Sequence, residues 1–370
     1  ADLSADDLAE AVRELESDDV VDLVEDLEPE QQDAVLEALE DMERLAVEQA
    51  LKFPEFSAGR MMQRELVMAP EHWTVGQAID HLRSAEELPD QFYHVILVDP
   101  RTRPTGYVTL GRLLSASRDM PLQTIVEESF RTLPVTLDEE DVAYAFNQYH
   151  LISVPVVDED ERLVGVITID DAMAVLDEEA EEDMLRLAGV GDEAVTDTIW
   201  QTTKARLPWL SVNLVTAILA SAVISLFDNA IATLVALAVL MPIVASMGGN
   251  AGTQTLTVAV RAIATRDLTG ANAMRVLWRE VAASLINGAI FAVVIGVLSY
   301  LWSGNAMLGY VIAAAMVINL GMAGFSGLVI PLALEKLGID PALASGTFVT
   351  TVTDVVGFFA FLGLAVVFLL

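Results

Sequence analysis

The 370 residues carry 20 Lys/Arg against 55 Asp/Glu, and 54% of them are hydrophobic. Seven Lys/Arg and six Asp/Glu fall in residues 200–370, leaving 13 and 49 to residues 1–199, so the first part carries about −36 and the second about +1. This division excludes a single soluble body and excludes nucleic acid as a partner, since phosphate is repelled by so acidic a surface, which attracts cations instead. With no cysteine, a disulfide framework and a thiolate metal centre are excluded as well. The four histidines (His72, His81, His94, His150) have no zinc-like spacing and read as structural.

Residues 1–58 predict short amphipathic helices: Leu23, Leu27, Val35, Leu36 and Leu39 recur near helical spacing, and Pro29 marks a helix start. Ala1–Glu10 is acidic rather than basic and apolar, so no signal peptide is expected. Without an initiator Met, the sequence reads as part of a longer helical repeat domain. Residues 60–180 hold two similar units. The first has the strand-like run Tyr93–Val98, a turn at Asp99–Pro104 and a second run Gly106–Thr109. The second has Ser153–Val157, Asp158–Arg162 and Leu163–Thr168. A helix follows each, so an α/β repeat of about 60 residues is predicted. Residues 172–205 read as one long acidic helix, with Asp177, Glu178, Glu179, Glu181, Glu182 and Asp183 clustered near its start. Such a cluster is destabilised by repulsion unless cations sit in it.

Five apolar stretches are long enough to cross a bilayer, at about 207–227, 231–260, 281–302, 307–334 and 343–370. Lys204, Arg206, Arg261, Arg266, Arg275, Arg279 and Lys336 fall on one side of such a bundle, and the loops around Asp228 and Ser303 have no basic residue. The charge bias predicts a cytoplasmic N-terminus and, with five spans, a C-terminus outside. Asp354 lies about 16 Å into the last span at 1.5 Å per residue. A bare carboxylate at that depth is costly, and every Lys and Arg is at a loop or span end. Protonation, a water-filled path or a bound cation remain. Gly346, Thr350, Asp354 and Gly357 share one helix face, flanked by Thr347 and Thr351, which suits water better than lipid. Gly248–Gly252 interrupts the second span. It either frees carbonyls and the Asn250 amide as oxygen donors or only allows close helix packing. Oxygen donors with one carboxylate, such as Asp354, Thr350 and Asn250, suit a hard cation such as Mg2+.

The run "VPVVDEDERLVGVITIDDAM" resembles a CBS domain, and the two units resemble a tandem CBS pair. In that family the Thr-x-x-Asp after the last strand often holds an adenosine ribose. Thr168 and Asp171 match it, whereas the first unit has Thr109 and Arg112. The resemblance implies one ATP site at most. Asp171 capping the following helix is the alternative. The order of acidic helical domain, CBS pair, connecting helix and five spans, with "GGNAGTQ" at Gly248–Gln254, "RAIATRDL" at Arg261–Leu268 and "DPALASGTFVTTVTD" at Asp340–Asp354, resembles the MgtE family of magnesium channels.

That resemblance implies a multidomain protein. Its parts are an α-helical N-terminal fragment (1–58), an α/β tandem CBS pair (59–120 and 121–178), a connecting helix (179–205) and an all-α polytopic membrane domain with five transmembrane helices (206–370). It implies a multi-pass protein of the cell membrane, a homodimer whose two copies of Asp354 bind hydrated Mg2+ in the pore, with Thr350 one turn earlier. Some members carry an amide where this chain has Gly346. It further implies closure by intracellular Mg2+ bound at Glu179, Glu182 and Asp183 on the connecting helix and at Asp340, with Asp171, Asp138 and Glu140 as further candidates. Acids of the helical domain such as Asp6 and Glu10 could also take part. Two other readings stay open: a secondary transporter coupled to Na+ or H+, and a membrane-anchored nucleotide sensor without transport. An enzyme is not expected, because the acids lack a catalytic context.

Overall fold

The structure, a computed structural model, describes residues 12, 15–25, 27, 29–39, 41–85, 88–89, 91–190 and 198–370. The chain divides into two compact units, residues 1–179 and 180–370.

Among the described residues the first unit has near its start the helices α1 (Ser17–Glu25), α2 (Pro29–Ala38) and α3 (Asp41–Ala50). Val20, Val21, Val24, Val35 and Val47 form their core, and Leu23, Leu27, Leu36 and Leu39 pack against it, as the helical spacing predicts. A short helix α4 (Ala58–Met61) follows. The first repeat comprises β1 (Met68–Pro70), α5 (Val75–Ser84), β2 (His94–Val98), β3 (Pro104–Thr109) and α6 (Leu110–Ser115). The second comprises β4 (Leu133–Pro134), α7 (Glu139–Tyr149), β5 (Ser153–Val157), β6 (Leu163–Thr168) and α8 (Ile169–Leu187). In each repeat the first strand pairs parallel with the second and the second antiparallel with the third. Both sheets carry a register shift at the same place, Leu97/Val98 and Val156/Val157. The equivalence of these details bears out the repeat.

The residues that open the first repeat have packing partners that their place in the sequence does not suggest. Ala58, Met61 and Met62 pack into the core of the second repeat with Leu133, Val154, Val156 and Ile167. Gln63 bridges Val166, so the segment before the first repeat completes the second. The apolar side chains of 58–62 are cheaper to bury there than to leave in water.

The acidic helix also differs: it is not continuous from 172 to 205. Helix α8 ends at Leu187. Gly189 adopts φ 72°, and Val190 N–H donates to Leu185 O at 3.0 Å, a left-handed helix stop for which glycine has the lowest cost. A new helix, α9 (Ile199–Ser225), begins after Thr198. The Thr198 side chain accepts from the Gln201 amide while Gln201 reaches back to the Thr198 amide.

Helix α9 opens the membrane part. It is followed by the short α10 (Asp228–Thr233), α11 (Ala236–Ala264), α12 (Ala273–Ser303), α13 (Ala306–Lys336) and α14 (Pro341–Leu369). Helices α9 and α11 to α14 are each long and apolar enough to cross a membrane. Leu237, Leu240, Val244, Leu308, Ile312, Phe361 and Leu362 form their largest core cluster. Helix α9 packs mainly along α14, and Leu210, Val215 and Ile218 remain exposed, which suits hydrocarbon rather than water.

Candidate ion pathway and cation sensor

Helix α14 places Asp354 13 residues from its first residue, about 20 Å along the axis at 1.5 Å per residue. One stripe of this helix (Val349, Thr353, Phe361) is fully buried against its neighbours. The adjacent stripe, Gly346–Thr350–Asp354, is only half-buried. Gly357 does not belong to that half-buried stripe: it is buried against Asn319 of α13. The hydroxyl of Thr350 donates along its own helix, with Gly346 O and Thr347 O both at 3.0 Å. Among the described residues no Lys, Arg or His pairs with Asp354.

The glycines at 248–252 do not break the second span. Helix α11 runs unbroken from Ala236 to Ala264. A Cβ at Gly252 would stand 2.5 Å from Val349 of α14, and one at Gly327 of α13 would stand 2.8 Å from Gly252 O. Close packing between helices is therefore what these glycines allow, and the carbonyls stay in the helix. Asn250 is on the exposed side of α11 and its Nδ2 donates to Ser246 Oγ one turn back at 3.4 Å. A Cβ added at Gly249 of α11 would lie 3.8 Å from Thr350 Cγ2.

At the start of α14, Asp340 caps the helix, its Oδ1 accepting from Ala342 N at 2.7 Å. Its Oδ2 accepts from Arg186 Nη1 at 2.5 Å. The same guanidinium pairs with Glu182, four residues earlier on α8. Leu187 packs in one apolar cluster with Leu256, Val260, Ala342 and Val349. The end of the acidic helix is thus seated on α11 and α14 by one apolar residue and one cation. Glu179, Glu182 and Asp183 lie on the same half-buried face of α8 as Arg186.

In the first unit, acids of α1 meet acids of the second repeat. Asp18 is 5% exposed and its Oδ1 has no hydrogen-bond partner. Burial, then the charge of Asp171, push its carboxyl up to about 8. Burial also raises the carboxyls of Glu16 and Asp171, with Asp19 among the like charges acting on both. Burial, then Asp138, Glu178 and Asp22, push Glu139 up to about 7. Asp138 caps α7 through Glu140 N at 3.1 Å. Among the described residues no three acids or histidines converge closely enough to hold a metal by themselves.

Residues 241–364 match the family described as "Divalent cation transporter" (MgtE), residues 1–56 match the MgtE intracellular N domain, and 58–119 and 122–178 match CBS domains. A magnesium transporter MgtE of Bacillus subtilis is 33% identical over 320 residues, covering 86% of this chain and 71% of the relative. One of Enterococcus faecalis is 34% identical over 319 residues, covering 86% and 70%. A solved structure described as the cytosolic domain of the Mg2+ channel MgtE in complex with ATP is 28% identical, with a TM-score of 0.37, covering 47% of this chain and 76% of its own. The chain belongs to the MgtE family. Its relatives are named as magnesium transporters, and the family is not enzymatic.

Within this MgtE chain, the acidic face of the N domain is formed by Glu16, Asp18, Asp19 and Asp22, none of which stands out among the acids of the sequence. Asp6 and Glu10 lie outside the described residues. Arg186 has a visible signal, as the lone base at the end of the acidic run Asp177–Asp183. The Thr168–Asp171 turn is formed: Asp171 Oδ2 accepts from Thr168 Oγ1 at 2.7 Å and from Thr168 N at 3.1 Å. The Thr168 hydroxyl also touches Asp170. The cleft lined by Gln63, His94, Ser153 and Thr168 has a volume of only about 20 Å³, room for about one water. His94 is a structural residue, buried with its Nδ1 2.5 Å from Ser153 Oγ and its ring beside Tyr107.

Proposed function

We propose that this MgtE chain conducts Mg2+ across the cell membrane as a homodimer, with Asp354 as the pore carboxylate, and that cytoplasmic Mg2+ closes it. The N-terminus is cytoplasmic and the C-terminus outside, following the loop charges. The observation that carries the pore assignment is a half-buried carboxylate about 20 Å along a membrane helix, on a stripe with Gly346 and Thr350 and without a basic partner. Such a group needs water or a cation beside it. Thr350 stands one turn from it. Asn250, on the exposed side of α11, contributes through a second copy or through water.

Closure uses acids brought together on separate elements. Ionised, Asp18, Asp19 and Asp22 of the N domain repel Asp171, Asp138, Glu139 and Glu140 of the second CBS unit, and a divalent ion shared between them removes that repulsion. Glu179, Glu182 and Asp183 on α8 and Asp340 before α14 take a divalent ion at the membrane domain, where Arg186 bridges Glu182 and Asp340 without one. A ligand bound better by the closed arrangement shifts the population towards it. ATP at Thr168 and Asp171 belongs to the same proposal, and it requires the CBS cleft to open.

Mg2+ uptake into liposomes by the wild type and by Asp354→Asn tests the pore assignment. The wild type takes up Mg2+ and the folded variant does not. Equal uptake overturns the assignment.

A further inference from the structure

Asn319 is fully buried in the middle of α13, 0% exposed, among apolar side chains. Its Nδ2 donates to Val244 O of α11 at 2.8 Å. Its Oδ1 has no partner. The amide fits because two glycines face it. A Cβ at Gly248 of α11 would lie 2.2 Å from Nδ2, and one at Gly357 of α14 would lie 2.7 Å from it. One side chain of α13 therefore sets how closely α11 and α14 approach, since neither helix can move inward past the amide. Gly357 is three residues beyond Asp354, and Gly248 precedes Gly249, which lies against Thr350. The notch is thus at the level of the residues assigned to the pore.

A buried amide that only clamped two helices would be an inefficient clamp. Its acceptor oxygen is unspent, and an unpaired buried acceptor is costly. Leucine has the same number and branching of side-chain heavy atoms and carries no such cost. We propose that Asn319 is a positioning residue that fixes the α11–α14 spacing beside Asp354 and thereby sets which divalent cation the pore prefers. This rests on the reading of Asp354 as the pore carboxylate. Ions of equal charge differ in size and in how firmly they hold water, so discrimination between them is sensitive to wall spacing. Asn319 acts through the two helices and touches no ion.

The test is uptake of Mg2+, Mn2+ and Ca2+, measured separately, into liposomes containing the full chain. The variants are Asn319→Leu, which removes the bond to Val244, and Gly357→Ala, which displaces the amide from the other side. A folded variant is expected to change the ratio of Mg2+ to Ca2+ uptake by about threefold or more, the order of coupling carried by residues that contact neither ligand. A merely structural residue would lower uptake of all three ions in proportion, and an unchanged ratio in either folded variant overturns the inference. Asp354→Asn measured in parallel separates the two claims. Normal Mg2+ uptake by Asp354→Asn removes the pore reading itself. Abolished uptake there, with an unchanged ratio in Asn319→Leu, removes only the role of Asn319.

Discussion

Arg186 Nη1 lies 2.5 Å from Asp340 Oδ2 and its guanidinium also holds Glu182, so a cation of the chain itself occupies carboxylates that we propose as magnesium ligands. Asp340 is at once the cap of α14 and the anchor of the last turn of α8. The helix so anchored carries Asp354. Without a metal, the one guanidinium between these two carboxylates offsets part of their repulsion. Arg186 and a divalent ion then compete for the same oxygens.

The competition has a measurable consequence. Arg186→Gln leaves Glu182 and Asp340 facing one another without a counter-charge, so the seat of α8 loosens when Mg2+ is absent and Mg2+ finds freer ligands when it is present. A partly exposed pair of this kind contributes about 1 kcal/mol, about fivefold in a two-state equilibrium. Mg2+ flux at low cytoplasmic Mg2+ should rise about that much, with closure retained at high Mg2+. Patch recording at controlled cytoplasmic Mg2+ checks this. Unchanged flux at low Mg2+ argues against a tether.

Removing the acids has the opposite signature. Glu182→Ala with Asp183→Ala takes away carboxylates on α8 that a divalent ion can bridge. The double variant should conduct at millimolar cytoplasmic Mg2+, where the wild type is expected to be closed, with the same conductance. Protease sensitivity of 172–205 should fall with added Mg2+ in the wild type only. Closure at the wild-type concentration would leave these acids as surface charge.

The contact between α1 and the second CBS unit should depend on pH. The Asp18 carboxyl at about 8 and the Glu139 carboxyl at about 7 lie above the ordinary range, so the folded unit keeps protons that an unfolded chain has released. This stabilisation is complete below the ordinary carboxylate range and is lost as pH rises through about 7 to about 8. Residues 1–179, which have three apolar clusters of their own, should therefore show a Tm that falls between about pH 5 and about pH 8 without Mg2+. Asp18→Asn should flatten that fall, and Mg2+ should raise Tm more at the higher pH. A slope that is the same in Asp18→Asn would show that the general acidity of the unit, not this carboxyl, sets it.

Nucleotide binding should be weak and limited to the second CBS unit. Both hydrogen-bond donors of Thr168, its N–H and its hydroxyl, already point to carboxylates, and the adjoining cleft has room for about one water. Calorimetry with ATP on residues 1–179 should give at most one site per chain, weakened further by Asp171→Ala. Two sites of equal strength would contradict this, since Arg112 occupies the matching acid position of the first unit.

The parts of this fold that were legible in the sequence are those set by local chemistry. The β-branched runs at 94–98, 104–109, 153–157 and 163–168 become strands because alternation and charged turns leave little else for them to do. Asp354 was legible for a similar reason, as an acid in an apolar run. Of the two alternatives for Gly248–Gly252 the structure takes close packing, because glycine weakens helices in water, whereas between membrane helices it permits close approach. The stop at Gly189 and the Thr198–Gln201 capping pair were present as signals within a segment whose acidity suggested one continuous helix. Asn319 and Asp18 gave no signal, because their importance lies in what packs on them: two glycines in one case and distant acids in the other.

We propose Asp354 as the carboxylate past which Mg2+ moves. The most direct measurement is Mg2+ uptake by purified protein in liposomes, wild type against Asp354→Asn, with folding verified by size-exclusion chromatography. Asparagine keeps the shape of the side chain and removes its charge, so uptake should fall to the level of empty liposomes while the elution profile stays the same. Uptake by folded Asp354→Asn at the wild-type rate would contradict the account.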